Sequence, residues 1–83
     1  MKINSRQVEN VTVLHLHGKL TGESDVSSLH DELQDLAERG HTEVVLSLEH
    51  VPWVDSGGLG AIIRAYYAFI RRGGRLKLCS PNP

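Results

Sequence analysis

Apolar positions recur along this chain with two alternating rhythms, and the rhythm changes at glycines and polar clusters. Ile3 to Val8 reads as a short, irregular strand, and Glu9-Asn10 as a tight turn. Val11-Thr12-Val13-Leu14-His15-Leu16-His17 is rich in β-branched residues and predicts a second strand, ended by Gly18. Thr21-Gly22-Glu23-Ser24-Asp25 offers several helix caps. Val26, Leu29, Leu33, Leu36 and Ala37 then follow at helical spacing, which predicts an amphipathic helix over 23–38 with Gly40 as its stop. Glu43 to Leu48 is an apolar run without alternation, the pattern of a strand buried on both faces. A second helix runs from Leu59 to Arg72, with Leu59, Ile62, Ile63, Tyr66 and Ile70 as its apolar stripe. Ala61, Ala65, Ala68 and Phe69 extend its apolar surface beyond one face. The three alanines are small enough to admit another helix closely or to lie under a further or swapped segment. Gly73-Gly74 ends this helix, and Arg75 to Cys79 is the last strand.

The expected order is β-β-α-β-α-β. The first two strands form an antiparallel hairpin. Helical crossovers join the last three, which are therefore parallel, with right-handed connections. The fold class is α/β, a small mixed sheet with helices packed on it, in one domain over residues 1–83.

Composition narrows the function classes. A chain of 83 residues supports one modest core. The formal charge of −1 argues against nonspecific binding to nucleic acid or to an anionic membrane, which needs a strong basic excess. Cys79 is the only cysteine, so no internal disulfide forms, and a reducing cytoplasm is the expected location. The first six residues lack the apolar core of a signal peptide, and no apolar run reaches the roughly 18 residues of a membrane span.

The chemistry concentrates at Asp55-Ser56-Gly57-Gly58-Leu59-Gly60, between a strand and a helix. Ser56 falls at the position just before the helix, where its hydroxyl can accept from a free backbone N–H. The helix dipole and the free N–H groups make the same spot favourable for an anion. As a residue alone, Ser56 reads first as a cap and second as a phosphate acceptor. Asp55 reads as an ordinary loop carboxylate, or as a group that orients the hydroxyl.

Competing motifs fail. Asp-Ser-Gly-Gly is similar to the nucleophile turn of chymotrypsin-like proteases, but Val54 stands where a glycine is needed, the chain is too short for that two-barrel fold, and a helix follows. Val54 also breaks the nucleophile elbow. There is no P-loop pattern, and the dinucleotide turn lacks its third glycine and its acid. His15 and His17 share a strand face without a third ligand nearby, which reads as a polar face and not as a metal site. His30, His41 and His50 read as surface residues. Arg71, Arg72, Arg75 and Lys77 are the one basic cluster, suited to a helix C-terminus. Cys79 reads as a small strand residue. No metal or cofactor is expected.

With these residues in view, the chain resembles the STAS domain family of anti-sigma factor antagonists. The family motif is Asp-Ser-(Ser/Thr/Ala)-Gly-(Leu/Ile/Val)-Gly. Val11 to Leu16 with Gly18-Lys19-Leu20 is similar to the family's second strand and turn. Val45 to Leu48 with Val51 and Val54 is similar to the strand leading to the site, and Gly73 to Leu78 to its last core strand. The resemblance covers essentially the whole chain and reverses the order of readings at Ser56, which inherits the phosphoacceptor role. It implies a non-catalytic switch that binds an anti-sigma factor serine kinase while Ser56 is unphosphorylated and releases it afterwards, with a phosphatase as the resetting partner. Asp55, Ser56, Gly57, Gly58, Leu59, Thr21 and Arg64 are the partner-binding residues it implies. An alternative from the same resemblance is a structural subunit of a lipid-transport ABC complex, without phosphorylation.

Three departures stand out. Gly57 replaces the common second serine or threonine. Thr21 stands where many members carry Asp. The family usually continues past the last strand with a helical segment, whereas this sequence stops at Ser80-Pro81-Asn82-Pro83, so that segment is short or missing. An uncovered sheet edge or second-helix surface then favours self-association.

Overall fold

The structure is a computed structural model that describes residues 1–80. Its elements run β1 (Lys2–Val8), β2 (Val11–His17), α1 (Gly22–Glu38), β3 (Glu43–His50), α2 (Ser56–Arg71) and β4 (Arg75–Cys79). The sheet order is β1-β2-β3-β4, antiparallel between the first pair and parallel for the other two. The mixed α/β architecture read from the sequence is the one observed.

Both crossovers advance one strand in the same direction. Connections of one hand then place both helices on the same face of the sheet. The register puts Thr12, Val44 and Leu76 in one row across the sheet, with Leu14 and Leu46 in the next. All five are buried, together with Leu16, under Leu29, Leu33 and Leu36 of α1 and Ile62 and Phe69 of α2. The Thr12 hydroxyl is fully buried and accepts from Gln7 Nε2 at 2.7 Å, so this polar group in the core is satisfied.

Three expectations need correction. β3 is not evenly buried on both faces: Val44 and Leu46 are buried on the helix side, while on the other side Val45 is half-buried and the small Ser47 is buried. The helices cover one face only, so Val11, Val13, His15 and His17 are half-buried too. β3 also runs two residues further than expected, to His50, because pairing with His17 continues the ladder past Glu49. His17 and His50 stack with ring centroids 4.8 Å apart.

The core face of α2 is also different. Gly58, Ala61, Ile62 and Phe69 point inward. Leu59, Ile63, Tyr66 and Ile70 are about half exposed, beside an equally exposed Leu78 on the edge strand β4. Apolar residues surround α2 almost completely, so periodicity alone did not choose its inner face. Gly58 and Ala61 let the helix axis approach the sheet and α1, while Ile62 and Phe69 fill the core. No helix among the described residues is long and apolar enough to cross a membrane.

Candidate functional site at the joined helix N-termini

The β2–β3 ladder continues beyond both strands. Leu20 N–H donates to the Trp53 carbonyl at 2.9 Å, and Asp55 N–H donates back to the Leu20 carbonyl at 3.2 Å. This parallel bridge between Leu20 and Val54 brings the start of α1 beside the start of α2.

Asp55 sits at the junction. It is the N-cap of α2, in extended backbone, and its Oδ1 accepts from Gly58 N–H at 2.8 Å. Its Oδ2 accepts from Gly22 N–H, in the first turn of α1, at 3.1 Å. One carboxylate therefore caps both helices. Gly22 has φ +79, a region that L side chains rarely adopt, and this turns its N–H toward Asp55. The α1 N-cap, Thr21, makes no side-chain cap. Its own N–H donates instead to Asp25 Oδ2 at 3.1 Å, and the amino terminus at Met1 lies 3.3 Å from Asp25 Oδ1.

These bonds set the acidities. Asp55 is held below its ordinary value of 3.8, chiefly by the Gly58 N–H and next by that of Gly22. Asp25 is lowered mainly by the Thr21 N–H, with the amino terminus adding to it. Both are depressed in the fold, so their stabilisation is complete above the unfolded value and is lost as pH falls through the lower folded value. Thermal unfolding should therefore shift downward in acid, below about pH 4. Asp55→Asn keeps an oxygen for Gly58 but opposes an N–H₂ to Gly22. It should lower Tm at neutral pH by roughly 4–8 °C, the scale of one lost cap in a domain of this size, and flatten the acid dependence. Calorimetry between pH 3 and 7 checks both; an unchanged acid profile would remove Asp55 as its source.

The cap assignment moves by one residue from the sequence reading. Ser56 is the first helical residue and not the cap, because Asp55 takes the cap with the stronger, charged acceptor. Ser56 is exposed, and its hydroxyl makes no side-chain hydrogen bond among the described residues. Gly57 is exposed beside it; a Cβ there would meet Asp55 Oδ1 at an ordinary 3.4 Å. Gly58 does not face outward. It is buried, pressed on Leu20 and Val54, and so offers packing where the sequence suggested partner contact. Leu59 is 52% exposed, next along the helix. Arg64 is exposed two turns on, with Nη1 3.2 Å from where a Gly60 Cβ would sit, so its guanidinium leans back toward the first turn. Thr21 is half-buried on the α1 side of the junction.

Sequence reasoning missed Asp25 and Gly22, and it missed the second bond of Asp55. The only sequence signal was the cap-rich run 21–25, which does not point to a partner 33 residues away. Among the described residues no three His, Cys, Asp or Glu side chains gather as a metal site.

A mixed sheet with two helices on one face, their N-termini joined beside an exposed serine, defines a small α/β module with a serine on a helix start. The STAS domain model matches residues 2–83, and the chain belongs to that family. It is 29% identical to an anti-sigma F factor antagonist of Paenibacillus polymyxa, over all of this chain and 71% of that protein. Among solved structures it is similar to the anti-sigma factor antagonist SpoIIAA in its unphosphorylated form, with TM-score 0.80 and 21% identity over 99% of this chain and 76% of that one. The phosphorylated form of Bacillus SpoIIAA gives TM-score 0.79 and 19% identity over 99% and 75%.

Proposed function

We propose that this chain is an anti-sigma factor antagonist, a cytoplasmic binding module and not an enzyme. Unphosphorylated, it binds an anti-sigma factor with serine kinase activity and so frees a sigma factor. Phosphorylation of Ser56 by that kinase ends the binding, and a phosphatase restores it. The contact surface is Ser56, Gly57 and Leu59, flanked by Asp55, Thr21 and Arg64.

The observation that carries this reading is that Ser56 is relieved of capping by Asp55. Its hydroxyl is exposed and free for transfer, at a helix start where an added phosphate is tolerated. Asp55 is a poor general base, since both of its oxygens are engaged and it is held ionised. That favours a residue acted upon over a residue that acts. The name of the Paenibacillus relative agrees.

The test is co-purification from host lysate with wild type, Ser56→Ala and Ser56→Asp as baits. A histidine-kinase-like ATPase recovered by wild type and Ala, but not by Asp, is the expected result. Recovery of lipid-transporter subunits whatever stands at 56 would instead favour the transport-subunit reading.

A further inference from the structure

A groove of about 240 Å³ runs between α1 and α2, from the second turn of α2 to its end. Its floor is apolar and low, with Ala61, Ala65 and Ala68 on the α2 side. On the α2 side its charged lining is Arg64, Arg71 and Arg72; on the α1 side the lining His30 and Gln34 are held by Asp31 at 3.4 Å and Glu38 at 3.0 Å. Arg39 is matched to Asp35 at 2.8 Å and Arg75 to Glu43 at 3.6 Å, whereas Arg6, far along the sheet on β1, has no ion pair among the described residues. Arg72 donates to the Ala37 carbonyl at the end of α1. Arg64 and Arg71 have no ion-pair partner among the described residues.

We propose that this groove docks an acidic amphipathic helix of a partner protein. Arg64 and Arg71, both unmatched, stand seven residues apart on one helix. That spacing is two turns, about 10.5 Å, and returns to nearly the same face. Glutamates seven apart on a docked helix running alongside α2 repeat the same interval, so both pairs close in one register. The alanine floor lets the incoming backbone approach, with its own small or apolar residues between the charges. A short anionic amphiphile fits less well, since a single headgroup satisfies one arginine and leaves the other two turns away. The groove begins beyond the first turn of α2, and Arg64 is the residue it shares with the contact surface proposed around Ser56.

The test uses two synthetic helical peptides of about four turns. Both carry an Ala/Leu stripe; one has Glu at two positions seven apart, and the other has Lys there. Fluorescence anisotropy gives affinity, and amide shifts locate binding. The Glu peptide should bind, with shifts at Ala61, Ala65 and Ala68. The double variant Arg64→Glu/Arg71→Glu should weaken it by about tenfold and gain affinity for the Lys peptide, as expected for two reversed surface pairs. Circular dichroism confirms that the variant is folded; both positions are exposed. Equal binding of the two peptides, no detectable binding, or shifts centred on Leu59 and Leu78 would overturn the proposal. So would dodecanoate binding to the groove where the Glu peptide does not.

Discussion

Phosphoserine at position 56 is expected to lower affinity for the cognate anti-sigma factor by about a thousandfold. The modification adds roughly −1.5 to −2 charge where Asp55 already stands one residue away. Each unit of that charge meets a repulsion of roughly 4 kcal/mol from a partner carboxylate at about 4 Å, in an interface of effective dielectric near 20, so one unit alone is enough. Three decades of affinity correspond to about that energy. The fold itself should absorb the charge, since the positive end of the α2 dipole faces it, although Asp55 already engages the Gly58 and Leu59 N–H groups. Titration calorimetry with phosphoserine encoded at 56, beside a thermal melt of each form, separates the two effects. A loss of less than tenfold with an unchanged Tm would defeat the switch reading. A collapse of Tm would mean that phosphorylation acts by unfolding the module.

Gly57→Ala and Gly58→Ala should have opposite signs although the positions are adjacent and the chemical change is the same. At Gly58 a Cβ would lie 2.7 Å from the Leu20 carbonyl oxygen, 2.8 Å from Leu20 Cγ and 3.1 Å from Val54 Cγ1. The carbonyl cannot step aside cheaply, because it accepts the Asp55 N–H that joins the two helix starts. Relief requires α2 to lift from the sheet, at roughly 1–3 kcal/mol or more. A domain of this length has only roughly 4–12 kcal/mol in total. At Gly57 the added methyl meets nothing closer than 3.4 Å and removes freedom from the unfolded chain. That change should stabilise by about 0.4–1 kcal/mol. Urea unfolding of both variants decides it; equal midpoints would show that Leu20 does not press on α2 as described.

Much of the architecture was legible because the hydrophobic period changes cleanly from strand to helix. The hairpin, both crossovers and the parallel order of β2, β3 and β4 follow from that change and from the glycines between elements. The end of β3 was not legible: Glu49 and His50 are polar, and only pairing to β2 keeps them extended. The inner face of α2 was hidden for the opposite reason, since a helix apolar almost all round carries no phase. At the site, Asp55 and Ser56 are both good caps, so sequence alone could not assign the role. Asp55 holds the cap as the stronger, charged acceptor, and the Gly22 N–H adds to that by engaging its second oxygen from far along the chain. The basic cluster also divides in space: Arg72 serves α1, Arg75 pairs with Glu43, and Arg71 faces the groove.

The carboxylate shared by Gly22 and Gly58 has a kinetic consequence. Two helices that begin far apart in sequence are fastened by one side chain, so their first turns cannot fray independently. Any event at Ser56 that draws Asp55 aside exposes the amide of Gly22 along with that of Gly58. The two N–H groups then belong to a single opening unit, and solvent exchange at the start of α1 becomes a remote gauge of what is happening at the start of α2.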